Sequence, residues 1–281
     1  MAEQKIWFIT GVSGGLGRAL AEEVAKNDDI VIGTLRQEKQ LLAFEQLVPG
    51  KTFAARLDVN DHAHIDRVIQ RVMDEFGRID VLVNNAGYGL FGAIEEVSME
   101  EARRQMETNF FSALALTKAV LPIMRNQRSG NIVQISSMAG FRSNPGMGIY
   151  NASKFALEGF SEALYLEMAP LNIHVTLVEP GPFRTEWAGA SSVKAASHIP
   201  DYGETAGKII GYIESNSGKQ AGDPVKAARA IIRAVNNVNP PLRLPLGKAA
   251  LDAIRTKLRS VGKNIEDWED VSLDTSFEEE S

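Results

Sequence analysis

KIWFITGVSGGLG, residues 5–17, carries an apolar run into a glycine-rich turn, and the turn opens into the helix-like stretch GLGRALAEEVAK (15–26). The run KIWFIT (5–10) is apolar at nearly every position, as a strand buried on both faces should be. In TGVSGGLG (10–17), Gly11, Gly15 and Gly17 follow the pattern T-G-x-x-x-G-x-G, with Ser13, Gly14 and Leu16 completing the loop. Glycine there permits a tight turn and close approach of backbone to a pyrophosphate. The helix start then offers unpaired N–H groups and a favourable dipole. A plain tight βα turn is the bland alternative, and the surrounding chain favours a nucleotide.

Outward from this turn, short apolar runs alternate with longer periodic stretches. The runs are IVIGTL (30–35), TFAARL (52–57), IDVLVN (79–84), NIVQIS (131–136), IHVTLVE (173–179) and a proline-bearing PLRLPL (241–246) suited to a sheet edge. Helix-like segments lie between them, among them HAHIDRVIQRVMDEF (62–76), EEARRQMETNFFSALALTKAVLPIM (100–124) and YNASKFALEGFSEALYLEM (150–168). Such alternation implies βαβ units with right-handed crossovers and a parallel sheet covered by helices on both faces, an α/β fold. Periodicity fades over 182–222, which is long for a connection and reads as a substrate lid. Helix resumes at GDPVKAARAIIRAV (222–235), with Asp223 as N-cap and Pro224 at the first helical position. A last helix is expected over 247–260, followed by an acidic tail over 262–281; the whole of 1–281 reads as one domain.

Composition narrows the function. The 281 residues are 44% apolar and 23% charged, ordinary for a globular protein, and the net charge of −6 argues against nucleic acid or an anionic membrane as partner. There is no cysteine, which excludes disulfides and thiol catalysis and makes a cytoplasmic location the expectation. No apolar run reaches bilayer-spanning length, and the N-terminus lacks the pattern of a signal peptide. His62 and His64 are two apart on one helix, so they do not share a face, and nothing suggests a metal site.

Further residues fit a dinucleotide. LDVN (57–60) sets Asp58 and Val59 at a strand end, where open α/β sheets bind ligands; Asp58 either accepts from an adenine amino group or caps the next helix. NNAG (84–87) puts Asn85, Ala86 and Gly87 at the next strand end, either to let a cofactor pass close to backbone or as a simple turn. In YNASK (150–154), Tyr150 and Lys154 are four apart, on one helix face. Alone that pair is an unremarkable surface feature.

Together, TGVSGGLG, NNAG, the serines at 136–137, YNASK and PGPFRT (180–185) resemble the short-chain dehydrogenase/reductase family in order and spacing. The resemblance covers about 5–190 and implies a single Rossmann-type, doubly wound domain with a seven-stranded, mainly parallel sheet. It also implies a nicotinamide dinucleotide, hydride transfer between an alcohol and a carbonyl, and a homodimer or homotetramer built on the helices around 100–124 and 150–168. By resemblance, Tyr150 is the acid/base, Lys154 its partner, and Ser137 (rather than Ser136) the substrate-orienting serine. Asn109 stands at the helix-kinking asparagine. There the family's small residue and glycine are replaced by Phe110, Phe111 and Ser112. Thr185 matches the threonine that holds the nicotinamide carboxamide. Pro180, Gly181 and Phe183 lie along the segment beside the ring.

An unperturbed tyrosine, with pKa near 10, is a poor base at neutral pH. A cation about 4 Å away at an effective dielectric near 20 contributes about 4 kcal/mol, or about three pKa units, so Lys154 is expected to bring Tyr150 toward neutrality. Ser137 would bond the substrate oxygen as charge grows on it. Met138, Phe141 and Met147 flank this segment and suggest an apolar pocket for the small-molecule substrate. Trp187 and Tyr202 in the lid either contact it or pack the flap. The second strand ends in Thr34, Leu35 and Arg36 with no acid before Glu38, which favours NADP(H): a guanidinium suits a 2′-phosphate. The competing readings are a cofactor-binding regulatory protein without turnover, and an epimerase or dehydratase of related fold.

Overall fold

Side chains alternate across the first strand, β1 (Ile6–Ile9), and that alternation builds two cores. Trp7 and Ile9 enter one apolar layer, which also holds Leu20, Val83 and Ile231; Phe8 enters the opposite layer, with Leu82, Ile132, Leu116 and Leu164. The structure, a computed structural model, describes residues 4–189 and 191–277. Ala190 of the 182–222 segment and residues 278–281 of the acidic tail lie outside the described residues.

The remaining strands of the main sheet are β2 (Ile30–Leu35), β3 (Thr52–Arg56), β4 (Val81–Asn84), β6 (Gly130–Ile135), β7 (Ile173–Pro180) and β9 (Arg243–Leu246). Their order is β3-β2-β1-β4-β6-β7-β9, and every neighbouring pair is parallel. The chain winds outward from β1 to β3 and then returns to place β4 on the other side of β1. The carboxyl ends of β1 and β4 therefore flank the point where strand order reverses, the place where open α/β sheets receive ligands. Helices α1 (Gly15–Lys26) and α8 (Pro224–Val235) supply Leu20 and Ile231 to one core. Helices α3 (His62–Phe76), α5 (Ser112–Gln127) and α6 (Gly148–Met168) cover the other. Asp223 caps α8 as the sequence implies, accepting from the Val225 and Lys226 amides, with Pro224 at the first position.

Three segments depart from expectation. The helix expected over 100–124 is not continuous: α4 (Met99–Met106) passes into a π-helical turn at 107–111 before α5 begins. The 182–222 segment is more ordered than its composition suggests. It contains β8 (Ser192–Lys194), paired in parallel with β5 (Gly89–Phe91), and the helix α7 (Lys208–Ser215). The last helix, α9 (Lys248–Asp267), runs past residue 260, and a short α10 (Glu269–Leu273) follows it.

Candidate active site

The glycine turn is built by backbone conformation and two buried threonines. Gly11 and Gly15 have φ of 71° and 59°, values that favour glycine. A Cβ on Gly17 would stand 2.3 Å from the Asn85 amide nitrogen and 2.7 Å from the Gly11 oxygen. Thr10 Oγ1 accepts from the Asn85 and Ala86 amides at 2.9 and 3.0 Å, and Asn85 Nδ2 donates back to the Thr10 and Gly11 carbonyls. Thr34 Oγ1 accepts from the Gly11 amide at 3.2 Å. These hydroxyls latch the turn to β2 and β4. Sequence reasoning saw Thr34 only as the place where an acid is lacking. The start of α1 has no side-chain cap at Gly14 and no acid in its first turn, so its N–H groups and dipole face outward. Ser13 and Gly14 are exposed there. Such a cradle fits a dinucleotide's pyrophosphate.

Around this turn the structure gathers the other candidates. A Cβ on Gly15 would lie 3.6 Å from the Thr185 Cβ. One on Gly87 would lie 3.0 Å from Asn109 Oδ1 and 3.7 Å from Lys154 Nζ, so the two remaining glycine positions tie the turn to both ends of the site. Gly181 lies beside the start of α9, its amide donating to the Leu246 carbonyl. Phe183 packs against the core beneath α8. Asp58 and Val59 sit at the end of β3, where the Asp58 carboxylate accepts from the Asn60 amide at 3.0 Å and does not cap α3. Arg36 follows β2, exposed, and forms no hydrogen bond or ion pair with the described residues.

Asn109 lies in the π-helical turn and is buried. Its Nδ2 donates to the Tyr88 carbonyl at 3.0 Å and to Ser153 Oγ at 3.1 Å, and its Oδ1 accepts from the Tyr88 amide at 3.0 Å. The side chain thus holds the 85–88 segment against α6. Such turns often mark functional positions.

Ser137 follows the end of β6, accepts from the Ala139 amide at 3.0 Å and donates to the Pro180 carbonyl at 3.5 Å. Burial pushes the Tyr150 phenol up to about 12, and the Ser137 hydroxyl lowers it by only part of that rise. Lys154 donates to the Ile135 carbonyl at 2.7 Å, and burial pulls its ammonium down to about 8 against the opposing pull of Glu158. The expectation that Lys154 brings Tyr150 toward neutrality is not met in this structure: the ammonium lies 6.0 Å from the ring centre, and burial raises the phenol.

Trp187, from the 182–222 segment, covers Tyr150 with ring centres 5.2 Å apart and meets Phe91 edge-on at 5.6 Å. Phe91, Ala139, Met147 and Tyr150 form one apolar cluster with Trp187, Ile210 and Ile213. Phe141 is not among them, because its ring lies under the Arg243 guanidinium at 5.2 Å. The segment's two ends are joined by hydrogen bonds between Gly222 and Pro182 and between Arg184 and Gly222. Its far side is seated by acids whose role the sequence did not signal. Glu96 accepts from the Ala93 and Ile199 amides at 2.6 and 2.8 Å, Glu101 from Ala196 at 3.0 Å, and Glu95 from the Tyr202 hydroxyl at 2.5 Å. The Ile199 and Ala93 amides hold the Glu96 carboxyl below its ordinary range; the Ser98 hydroxyl, then its amide, does the same for Glu101.

Behind Lys154 lies a further unsignalled cluster. Arg243 on β9 donates to Glu158, to Glu179 at 2.7 Å and to Glu162 at 2.6 Å. Glu158 and Glu179 are buried, and burial raises both carboxyls, that of Glu179 to about 7.

Among the described residues, no helix is long and apolar enough to cross a membrane. The short chain dehydrogenase family model matches residues 5–195. A solved short-chain dehydrogenase from Streptomyces avermitilis is 41% identical with a TM-score of 0.93, covering 98% of this chain and 100% of that one. A 3-ketodihydrosphingosine reductase from Bacteroides thetaiotaomicron is 37% identical over 87% of this chain and 88% of its own length. An NADPH-dependent 3-dehydrocapnine reductase from Ornithobacterium rhinotracheale is 34% identical over 70% of this chain and 72% of its own. With Ser137, Tyr150 and Lys154 gathered beside a dinucleotide cradle at the strand-order reversal, the chain belongs to the short-chain dehydrogenase/reductase family of oxidoreductases.

Proposed function

We propose that this protein is an NADP(H)-dependent reductase of apolar carbonyl compounds, working reversibly on the matching secondary alcohols. The observation that carries this reading is the placement of Tyr150 and Ser137 against the apolar wall of Phe91, Met147 and Trp187. Ser137 orients the carbonyl oxygen and stabilises the charge that develops there. Tyr150 moves the proton at that oxygen, and Lys154 positions the cofactor's ribose and holds positive charge near the phenol. The bound dinucleotide supplies or accepts the hydride. Gly11 to Gly17 hold its pyrophosphate, Asp58 and Val59 flank its adenine, Asn85 to Gly87 line its path, and Pro180 to Thr185 support the nicotinamide end. Arg36 meets the 2′-phosphate. The relatives whose names read as reductases of 3-keto and 3-dehydro compounds, one of them NADPH-dependent, support the same direction and cofactor.

The test follows NADPH absorbance with a series of ketones of rising apolar bulk, for wild type and Tyr150→Phe. Turnover should favour the bulkier apolar ketones. The substitution should lower it about 10²–10⁴-fold while cofactor binding is kept. Cofactor binding without turnover on any carbonyl or alcohol would favour a regulatory protein; turnover without net cofactor oxidation would favour an epimerase or dehydratase.

A further inference from the structure

Helix α9 begins docked on the body and ends free of it. Ala250, Ala253 and Ile254 in its first two turns are buried. Beyond them the apolar stripe continues with no described residue covering it: Leu258 is 55% exposed and Ile265 64%, and Trp268, which caps the helix, 65%. An apolar face of this length is not held in water by helix propensity alone.

The spacing of the stripe names the kind of partner. Leu251, Leu258 and Ile265 recur every seven residues, and Ile254, Val261 and Trp268 form a second series three residues on. An alternating 3-4 spacing repeats every seven residues, or 3.5 per turn, the repeat by which one helix packs knobs-into-holes against another. The charges set the direction. Residues 255–263 carry Arg255, Lys257, Arg259 and Lys263 and no acid; residues 266–274 carry Glu266, Asp267, Glu269, Asp270 and Asp274 and no base. Two parallel copies would set like charge beside like. Two antiparallel copies with a two-fold axis near residue 263 bring Val261 toward Ile265, Leu258 toward Trp268, which caps α9, and Arg259 toward Asp267, the last residue of α9; Glu269, Asp270 and Asp274 follow the break at Trp268. The cluster of acids around Trp268 disfavours an anionic membrane surface as the occupant.

We propose that this stripe is a self-association surface, on which the C-terminal helices of two copies pair antiparallel. The contact is isologous, so it closes after two subunits. It lies away from the cofactor cradle and joins two complete active sites.

Light scattering on the full chain tests this. Wild type should show a mass of two chains or a multiple of two, and Leu258→Glu with Ile265→Glu should halve it, with melting temperature and turnover retained. An unchanged mass overturns the proposal. The chain has no cysteine, so introduced thiols report orientation without background. Arg255→Cys and Glu269→Cys variants, co-expressed, should be joined by a short bismaleimide only as a mixed pair. Cross-linking of each variant to itself would mean parallel helices and overturn the pairing, as would no cross-linking at all. A monomeric wild type that floats with phosphatidylcholine–phosphatidylserine vesicles would assign the stripe to a membrane instead.

Discussion

Lys154 gives its hydrogen bond to the Ile135 carbonyl at 2.7 Å while its ammonium stands 6.0 Å from the centre of the Tyr150 ring. Burial drives the two groups apart on the pH scale, the lysine down to about 8 and the phenol up to about 12. In the cofactor-free protein the ammonium is therefore lost before the phenol ionises. Two outcomes are expected. Phenolate absorbance from Tyr150 should appear only near pH 12 without cofactor. Turnover that needs the ammonium should be full below about pH 8 and fall above it, and Lys154→Arg should extend that limb upward, since arginine keeps its charge. A pH profile for the arginine variant identical to wild type would remove Lys154's charge from the rate.

Trp187 packs at a tilt over Tyr150, ring centres 5.2 Å apart, from a segment whose two ends are hydrogen-bonded together. Trp187→Ala should cost an apolar substrate about 1–3 kcal/mol of binding, read as a 10–200-fold loss in kcat/KM. Small polar ketones should lose much less. Limited proteolysis should cut within 182–222 first, and more slowly with cofactor and ligand bound. Equal losses for both substrate types would place Trp187 in packing alone.

Glu179 and Glu158 share one guanidinium, which is too little positive charge for two buried carboxylates. A carboxyl raised to about 7 in the folded state binds its proton more tightly there than in the unfolded chain, where it titrates near its ordinary 4.5. Between those values the folded state holds more protons, so stability falls as pH rises from about 4.5 through about 7. Glu179→Gln should flatten that fall in denaturant titrations. Arg243→Met leaves the carboxylates without a partner and should cost about 3–5 kcal/mol, more at pH 8 than at pH 5. A wild-type stability that stays level from pH 5 to 7, or an Arg243→Met loss equal at both pH values, would contradict the cluster's charge state.

The sheet was legible because parallel strands buried on both faces are written as unbroken apolar runs, as IWFI and VLVN are. The pairing of Tyr150 with Lys154 was legible because one helix carries both. What stayed hidden depends on distance in sequence. Arg243 meets its carboxylates across separations of 64 to 85 residues, and no local pattern marks such a triangle. The π-helical turn at Asn109 leaves the apolar periodicity of 100–124 nearly intact, so it reads as plain helix. Strand β8 is three residues, SVK, and owes its existence to pairing with β5 rather than to propensity. Gly262 inside α9 reads as a stop in sequence, yet the helix continues through it to Asp267.

Cofactor choice turns on the end of β2, where Arg36 is exposed and pairs with no described side chain. The nearest acid, Glu38, is turned toward Arg56, 3.3 Å away, and Arg56 stands opposite Leu35 in the strand register. Thr34, which precedes them, is committed to the Gly11 amide. No carboxylate is left to accept from a ribose 2′-hydroxyl, the contact an NAD-preferring site makes. A guanidinium in that place matches a phosphate's geometry and charge. The glycine turn adds no basic residue, since Ser13 and Gly14 occupy it, so the proposed NADP(H) preference rests mainly on Arg36. A charge-assisted contact contributes roughly 1.5–3 kcal/mol. Arg36→Ala should therefore weaken NADPH binding about ten- to a hundredfold and leave NADH nearly unchanged. Arg56→Ala should act more weakly, by releasing Glu38 to repel the phosphate, and its effect should shrink as salt is raised. Paired fluorescence titrations of both cofactors check this, and a wild type that binds NADH more tightly than NADPH would overturn the assignment of Arg36.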